Sequence, residues 1–134
     1  MSCTPTPVTD ACTGQYGDRT SFAKTVLSDG KIFISGGVGT NACAGSVVGT
    51  SAEIYDPVTN TWEKLPAMPI ARTYHAAVEI DDNRLMVSGG DGTCLTTSIY
   101  NRTTKTWSTG PTLLSGKSQH IMKKLNNGGI VIIG

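Results

Sequence analysis

The chain has 134 residues, of which 16% are charged, with 11 Lys and Arg against 10 Asp and Glu and a formal net charge of +1. That length suits one domain, and a near-balanced charge without a basic run leaves no electrostatic footprint for nucleic acid. No apolar stretch approaches the roughly 20 residues that a membrane helix needs, and residues 1–12 lack the basic start and apolar core of a signal peptide.

In chain order, residues 1–18 stand outside the pattern that fills the rest and read as an N-terminal extension carrying Cys3 and Cys12. From Arg19 onward the sequence repeats. Arg19-Thr20-Ser21-Phe22-Ala23, Arg72-Thr73-Tyr74-His75-Ala76 and Lys117-Ser118-Gln119-His120-Ile121 are three copies of one segment. Each opens a first strand, over Phe22 to Leu27, Tyr74 to Ile80 and His120 to Leu125. Turns follow at Ser28-Asp29-Gly30, Asp81-Asp82-Asn83 and Asn126-Asn127-Gly128, all residues that tolerate the positive φ of tight hairpins.

Second strands such as Ile32-Phe33-Ile34 and Ile130-Val131-Ile132-Ile133 are continuously apolar and should be central in their sheets, covered on both faces. A glycine pair comes next, Gly36-Gly37 and Gly89-Gly90, with Gly134 at the same place in the third copy; there a side chain would obstruct a close backbone or a positive-φ bend. Third and fourth strands then lie around Ile54-Tyr55 and Thr61-Trp62, and around Ile99-Tyr100 and Thr106-Trp107. Their aromatics offer apolar plates for packing between neighbouring sheets. Residues 65–69 and 109–113 link one unit to the next. Trp62 to Trp107 and His75 to His120 both span 45 residues whereas Gly36 to Gly89 spans 53, so the first unit has eight extra residues, placed in the small-residue loop 38–50. A period in the mid-forties with short, glycine-punctuated strands marks a propeller-type array. The units run over about 19–68, 72–113 and 117–134, the last stopping after its second strand.

The glycine pair, Tyr55-Asp56, the tryptophan six residues beyond that aspartate and the run from Ala71 to Val78 resemble Kelch repeats, of the kind found in bacterial Kelch proteins and in the propeller of galactose oxidase. The likeness covers about residues 19–134 and is most specific at 72–113. It implies an all-β fold, a Kelch-type β-propeller fragment of four-stranded antiparallel blades. In galactose oxidase a copper-binding tyrosine opens a first strand in an Ala-Arg-Gly-Tyr setting and is crosslinked to a cysteine in the preceding blade. Ala71-Arg72-Thr73-Tyr74 matches that setting, but Ser21 and Phe22 hold the place of the cysteine, so the resemblance implies no copper centre and no cofactor here.

In that family the first strands line a central channel, which would bring Arg19, Arg72 and Lys117 to one mouth together with Tyr74, His75 and His120. Three cations beside aromatic and hydrogen-bonding groups could hold a carboxylate or sugar acid. Alternatively, the arginines pair with carboxylates such as Asp18, Glu53 or Glu79, or bond loop carbonyls, and the histidines are satisfied between blades. No catalytic residue is assigned. A metal site is not expected from two histidines at equivalent repeat positions without a C-x-x-C pair. The glycine clusters lack the helix and lysine of a phosphate loop, and Ser35 and Ser88 sit in no nucleophile elbow.

Four cysteines allow three pairings. The expected ones are Cys3 with Cys12, and Cys43 near Cys94 in matching loops, which would imply an extracellular or periplasmic protein; four free thiols in a cytoplasmic protein are the alternative. An unfinished array leaves blade faces bare and a sheet edge open. The reading is therefore a noncatalytic binding or assembly module. It would complete its propeller as a homo-oligomer and present loops such as 38–51 to a protein or glycan, without nucleic-acid or membrane partners. The alternative is part of a carbohydrate-active propeller enzyme, of sugar oxidase or sialic-acid epimerase type, with Arg72, Tyr74 and His75 at the channel.

Overall fold

In a computed structural model, the structure describes residues 19–41, 45–90, 95–117 and 119–134. These form only strands, with no helix among the described residues. In chain order they are β1 (Arg19–Thr20), β2 (Ala23–Val26), β3 (Ile32–Ser35), β4 (Val38–Asn41), β5 (Gly45–Val48), β6 (Ala52–Asp56), β7 (Thr61–Leu65), β8 (Ala76–Asp81), β9 (Arg84–Ser88), β10 (Thr97–Asn101), β11 (Thr106–Thr109), β12 (Ile121–Lys124) and β13 (Ile130–Ile133). Two four-stranded antiparallel sheets, β2-β3-β6-β7 and β8-β9-β10-β11, are consecutive blades, and β12-β13 is a two-stranded third sheet.

The register repeats as the sequence does. Ala23 faces Ser35, Ala76 faces Ser88 and Ile121 faces Ile133 at the same place in the three first hairpins. Tyr55 lies opposite Trp62 and Tyr100 opposite Trp107, with ring centroids 4.8 and 5.2 Å apart in tilted contact. Asp56 Oδ1 accepts from the Val58 amide at 2.9 Å, and Asn101 Oδ1 accepts from the Thr103 amide at 2.9 Å, which is why a short side-chain acceptor stands at both turns.

Burial shows which faces are covered. Along β9, Leu85, Met86, Val87 and Ser88 are all buried, because a sheet packs on each side. Leu85, Val87 and Tyr100 meet Phe33, Ile54, Leu65 and Met68 of the first blade. On the opposite side, Ala76, Val78 and Met86 meet Met122, with Ile130 and Ile132 against them. In β3 only Phe33 and Ser35, which point at the second blade, are buried; Ile32 and Ile34 on the other face are half-buried. The expectation of a central strand covered on both faces therefore holds in full for the second blade. Trp107 closes the rim by donating its indole N–H to the Pro66 carbonyl at 2.7 Å.

Two local expectations change. Loop 38–50 contains a hairpin: β4 pairs with β5 and also with β1, giving a small sheet of order β1-β4-β5. Its alternation of valine and threonine with small residues suits pleated pairing once Arg19–Thr20 supplies an edge. In the first-to-second strand turns, Gly30 and Gly128 take φ of 87° and 88° as expected, but Asn83 does not enter the left-handed region. There β8 carries an irregularity between Glu79 and Asp81, and Asp81 pairs directly with Arg84, leaving only Asp82 and Asn83 to turn. The Arg84 guanidinium bonds the Asp81 carboxylate at 2.8 Å and holds that ending.

Met68, on the link between blades, is fully buried in the larger core. Met68→Ala should lower unfolding free energy by about 2–5 kcal/mol. Val58→Ala, at a side chain 91% exposed, should stay within about 0.5 kcal/mol. Urea denaturation of the two variants checks both values.

Candidate functional site

The three opening segments meet along the inner edge of the blades. The Tyr74 amide donates to the Ser21 carbonyl at 3.0 Å, and the Gln119 amide donates to the Tyr74 carbonyl at 2.7 Å. All three residues are left-handed, with φ of 57° at Ser21, 54° at Tyr74 and 50° at Gln119. At Tyr74 and Gln119 that conformation turns the N–H sideways toward the previous blade instead of along its own sheet. It costs a non-glycine residue about 1–2 kcal/mol, which the ladder of bonds offsets.

A second tie runs through the glycine pairs. The Gly37 amide donates to the Arg72 carbonyl and the Gly90 amide to the Lys117 carbonyl, both at 2.8 Å. Gly36 and Gly89 have φ of 63° and 70°. A Cβ on Gly36 would strike the Arg72 carbonyl oxygen and lie 2.5 Å from His75 Cε1; one on Gly89 would lie 2.5 Å from the Lys117 carbonyl oxygen and 2.7 Å from His120 Cε1. Glycine is required here by two constraints at once, a backbone bend and the imidazole seated on it.

Both histidines are buried and bonded to the preceding blade. His75 Nε2 lies 2.9 Å from Ser35 Oγ, and His120 Nε2 lies 2.8 Å from Ser88 Oγ. Ser88 Oγ also lies 3.0 Å from Met122 Sδ. Neither Nδ1 has a hydrogen-bond partner. Burial, followed by the positive charge of Arg72, pushes His75 down to about 3; burial and Lys117 lower His120. Both rings are neutral at pH 7.

Arg72 is fully buried. One terminal nitrogen donates to the Gly89 carbonyl at 2.6 Å and the Thr96 carbonyl at 3.0 Å, and the other to Thr96 Oγ1 at 3.0 Å and Ser98 Oγ at 3.1 Å. Burial lowers its pKa to about 10, which leaves it charged. Lys117 Nζ donates to the Gly134 carbonyl at 2.9 Å. Glu79, one of the expected carboxylate partners, accepts instead from the Ser28 amide at 2.9 Å. Tyr74 is 47% exposed. The Arg19 backbone lies in β1, paired with Gly39; its side chain, Asp18 and all four cysteines, Cys3, Cys12, Cys43 and Cys94, lie outside the described residues.

The segments thus converge, but Arg72, His75 and His120 direct their bonds at protein atoms between and within blades, the second of the two sequence readings. Sequence reasoning weighed Ser35 and Ser88 only as nucleophiles and did not pair them with the histidines. The signal was present: each precedes a glycine pair, and the next repeat copy holds a histidine.

The unfolded chain binds a proton at His75 near the ordinary value of 6.5, whereas the folded chain refuses it down to about 3. Stability should therefore be flat above pH 6.5 and fall as the pH falls through that window. Asp81, whose carboxyl the Arg84 hydrogen bond holds below its ordinary 3.8, adds to the loss only at more acidic pH. Urea midpoints for the wild type should drop between neutral pH and pH 5, and His75→Gln should flatten that slope.

Residues 19–69 match the Kelch motif. The chain is 32% identical over 126 residues to Kelch-like protein terF of Aspergillus terreus, covering 85% of this chain and 27% of that protein. It is 39% identical over 71 residues to Kelch-like protein 15 of Danio rerio, covering 52% of this chain and 12% of that protein. Against N-acetylneuraminate epimerase of Salmonella typhi it is 32% identical over 76 residues, covering 55% of this chain and 20% of the enzyme. It spans about a quarter or less of the length of each of these relatives. The motif match, the Kelch-like relatives and the repeated antiparallel blades make this chain part of a Kelch repeat domain.

Proposed function

We propose that the chain is a noncatalytic binding and assembly module, with residues 19–134 as a propeller portion that binds protein partners and associates with itself. Kelch repeats commonly mediate protein binding, and the observation that carries the reading is where this molecule leaves its apolar surface. Val26 is 67% exposed on the first blade, and Ile121, Leu125 and Ile133 are 64%, 43% and 60% exposed on the third sheet. Such faces on outer sheets favour association. Meanwhile Arg72, His75 and His120, the groups best able to bind a small acid or move a proton, are buried and bonded inside.

A second reading, a portion of a sugar-acid enzyme, draws on the similarity to the epimerase and on Tyr74, left-handed and half exposed at the inner edge. The first reading expects a weight-average mass that rises above 14.0 kDa with micromolar protein concentration in sedimentation equilibrium. It also expects no shift of the Tyr74 resonances on adding N-acetylneuraminate. A constant monomer mass would remove the assembly claim, and a saturable Tyr74 shift would favour the enzyme reading.

A further inference from the structure

We propose that Asn101, at the turn between β10 and β11, is an acceptor for an N-linked oligosaccharide. Of the asparagines in the chain, only Asn101 is followed two residues later by a serine or threonine, in Asn101-Arg102-Thr103, with no proline between them. The fold adds what that pattern alone lacks, a place for the sugar. Asn101 Oδ1 accepts from the Thr103 amide at 2.9 Å, from the Thr104 amide at 3.0 Å and from Asn83 Nδ2 at 3.2 Å. Two backbone donors on that atom identify it as the oxygen of the carboxamide. Its Nδ2 makes no hydrogen bond to the described residues and is not buried. The turn thus occupies the oxygen and leaves the nitrogen to solvent.

The repeat shows that the turn does not depend on this asparagine. At the same place in the first blade Asp56 Oδ1 accepts from the Val58 amide at 2.9 Å, and the segment Asp56-Pro57-Val58 offers neither a carboxamide nitrogen nor a hydroxyl. Any short side-chain acceptor closes such a turn. The donor class is a lipid-diphosphate-linked oligosaccharide. The bond from Asn101 Nδ2 to the sugar C1 forms as the C1–oxygen bond to the diphosphate breaks; the lipid diphosphate leaves with that electron pair, and one Nδ2 proton is released. The carbonyl oxygen is untouched, so all three bonds to Oδ1 survive the modification. Transfer belongs to the lumenal side of an exporting membrane, the setting in which the cysteine pairs expected from the sequence would also form. Position in the blade agrees. Asn101 pairs with Arg84 and Thr106 at one end of the second blade, whereas Thr97 and Ala76 pair with Ser88 beside the glycine pair at the other. Residues 103–106 are exposed, and Asn101 belongs to neither apolar blade junction. A bulky, solubilising glycan there leaves the Tyr74 end of the blades open to partners.

The full chain as wild type, Asn101→Asp, Thr103→Val and Thr103→Ser is secreted from a eukaryotic host and examined by peptide mass spectrometry before and after peptide-N-glycosidase treatment. Wild type should carry oligosaccharide on the Asn101 peptide, with that asparagine converted to aspartate on release. Asn101→Asp and Thr103→Val should lose the sugar completely, and Thr103→Ser should keep it. Far-UV circular dichroism of glycosylated wild type should match that of Asn101→Asp, the same chain without the glycan. Secreted wild type without sugar overturns the proposal, as does a glycan that persists in Asn101→Asp or Thr103→Val. A glycosylated chain that has lost its sheet signal overturns it too, because the turn then has no room for the modification.

Discussion

The sideways hydrogen bond from a left-handed residue is the constraint on which the rest of the molecule depends. The bonds from Tyr74 to Ser21 and from Gln119 to Tyr74 fix how far each blade's first strand stands from the previous one. That spacing is small enough that Gly36 and Gly89 must lack a Cβ, and it seats an imidazole directly over each of them within reach of a serine on the preceding blade. The inner edge is therefore a polar hinge line, closed by backbone and short side-chain bonds.

Farther from that line the character of the contact changes. Phe33, Ile54, Leu65 and Met68 interdigitate with Leu85, Val87 and Tyr100, where burial of each large side chain is worth roughly 1.5–3 kcal/mol. The apolar wall holds the blades together, and the polar inner edge sets the angle and register at which they meet. Arg72 joins the two regions. A buried guanidinium is costly unless its protons are spent, and this one bonds two carbonyls and two hydroxyls of the second blade's own glycine and third-strand region. It thereby braces the bend that lets Gly89 receive His120.

These contacts engage several of the residues that the sequence also offers as a ligand site. Cations, histidines and an aromatic at one repeat position do gather, as the repeat implies. The imidazoles are then claimed by serines of the preceding blade, at a spacing too close to leave a cavity between Ser35 and His75 or between Ser88 and His120, and Arg72 by atoms of its own blade. Tyr74, held left-handed and 47% exposed, stays presented to solvent.

The sequence by itself determined what depends on local pattern and on repetition. Strand positions outside loop 38–50, the repeat units and the glycine pairs follow from the period in the mid-forties and from the continuously apolar second strands, because these express backbone preference and burial against neighbouring sheets; the stacking of Tyr on Trp within each blade came only with the fold. Tertiary structure decided what depends on distance between segments far apart in the chain. It turned part of loop 38–50 into a hairpin by offering the edge of Arg19–Thr20, and it removed Asn83 from the left-handed region through the Asp81–Arg84 pairing. It also sent the Arg72 guanidinium and both imidazoles inward. A sequence states which groups share a repeat position; whether they face one another, a neighbour's hydroxyl or water is set by sub-ångström spacing between blades, and only the folded chain fixes that.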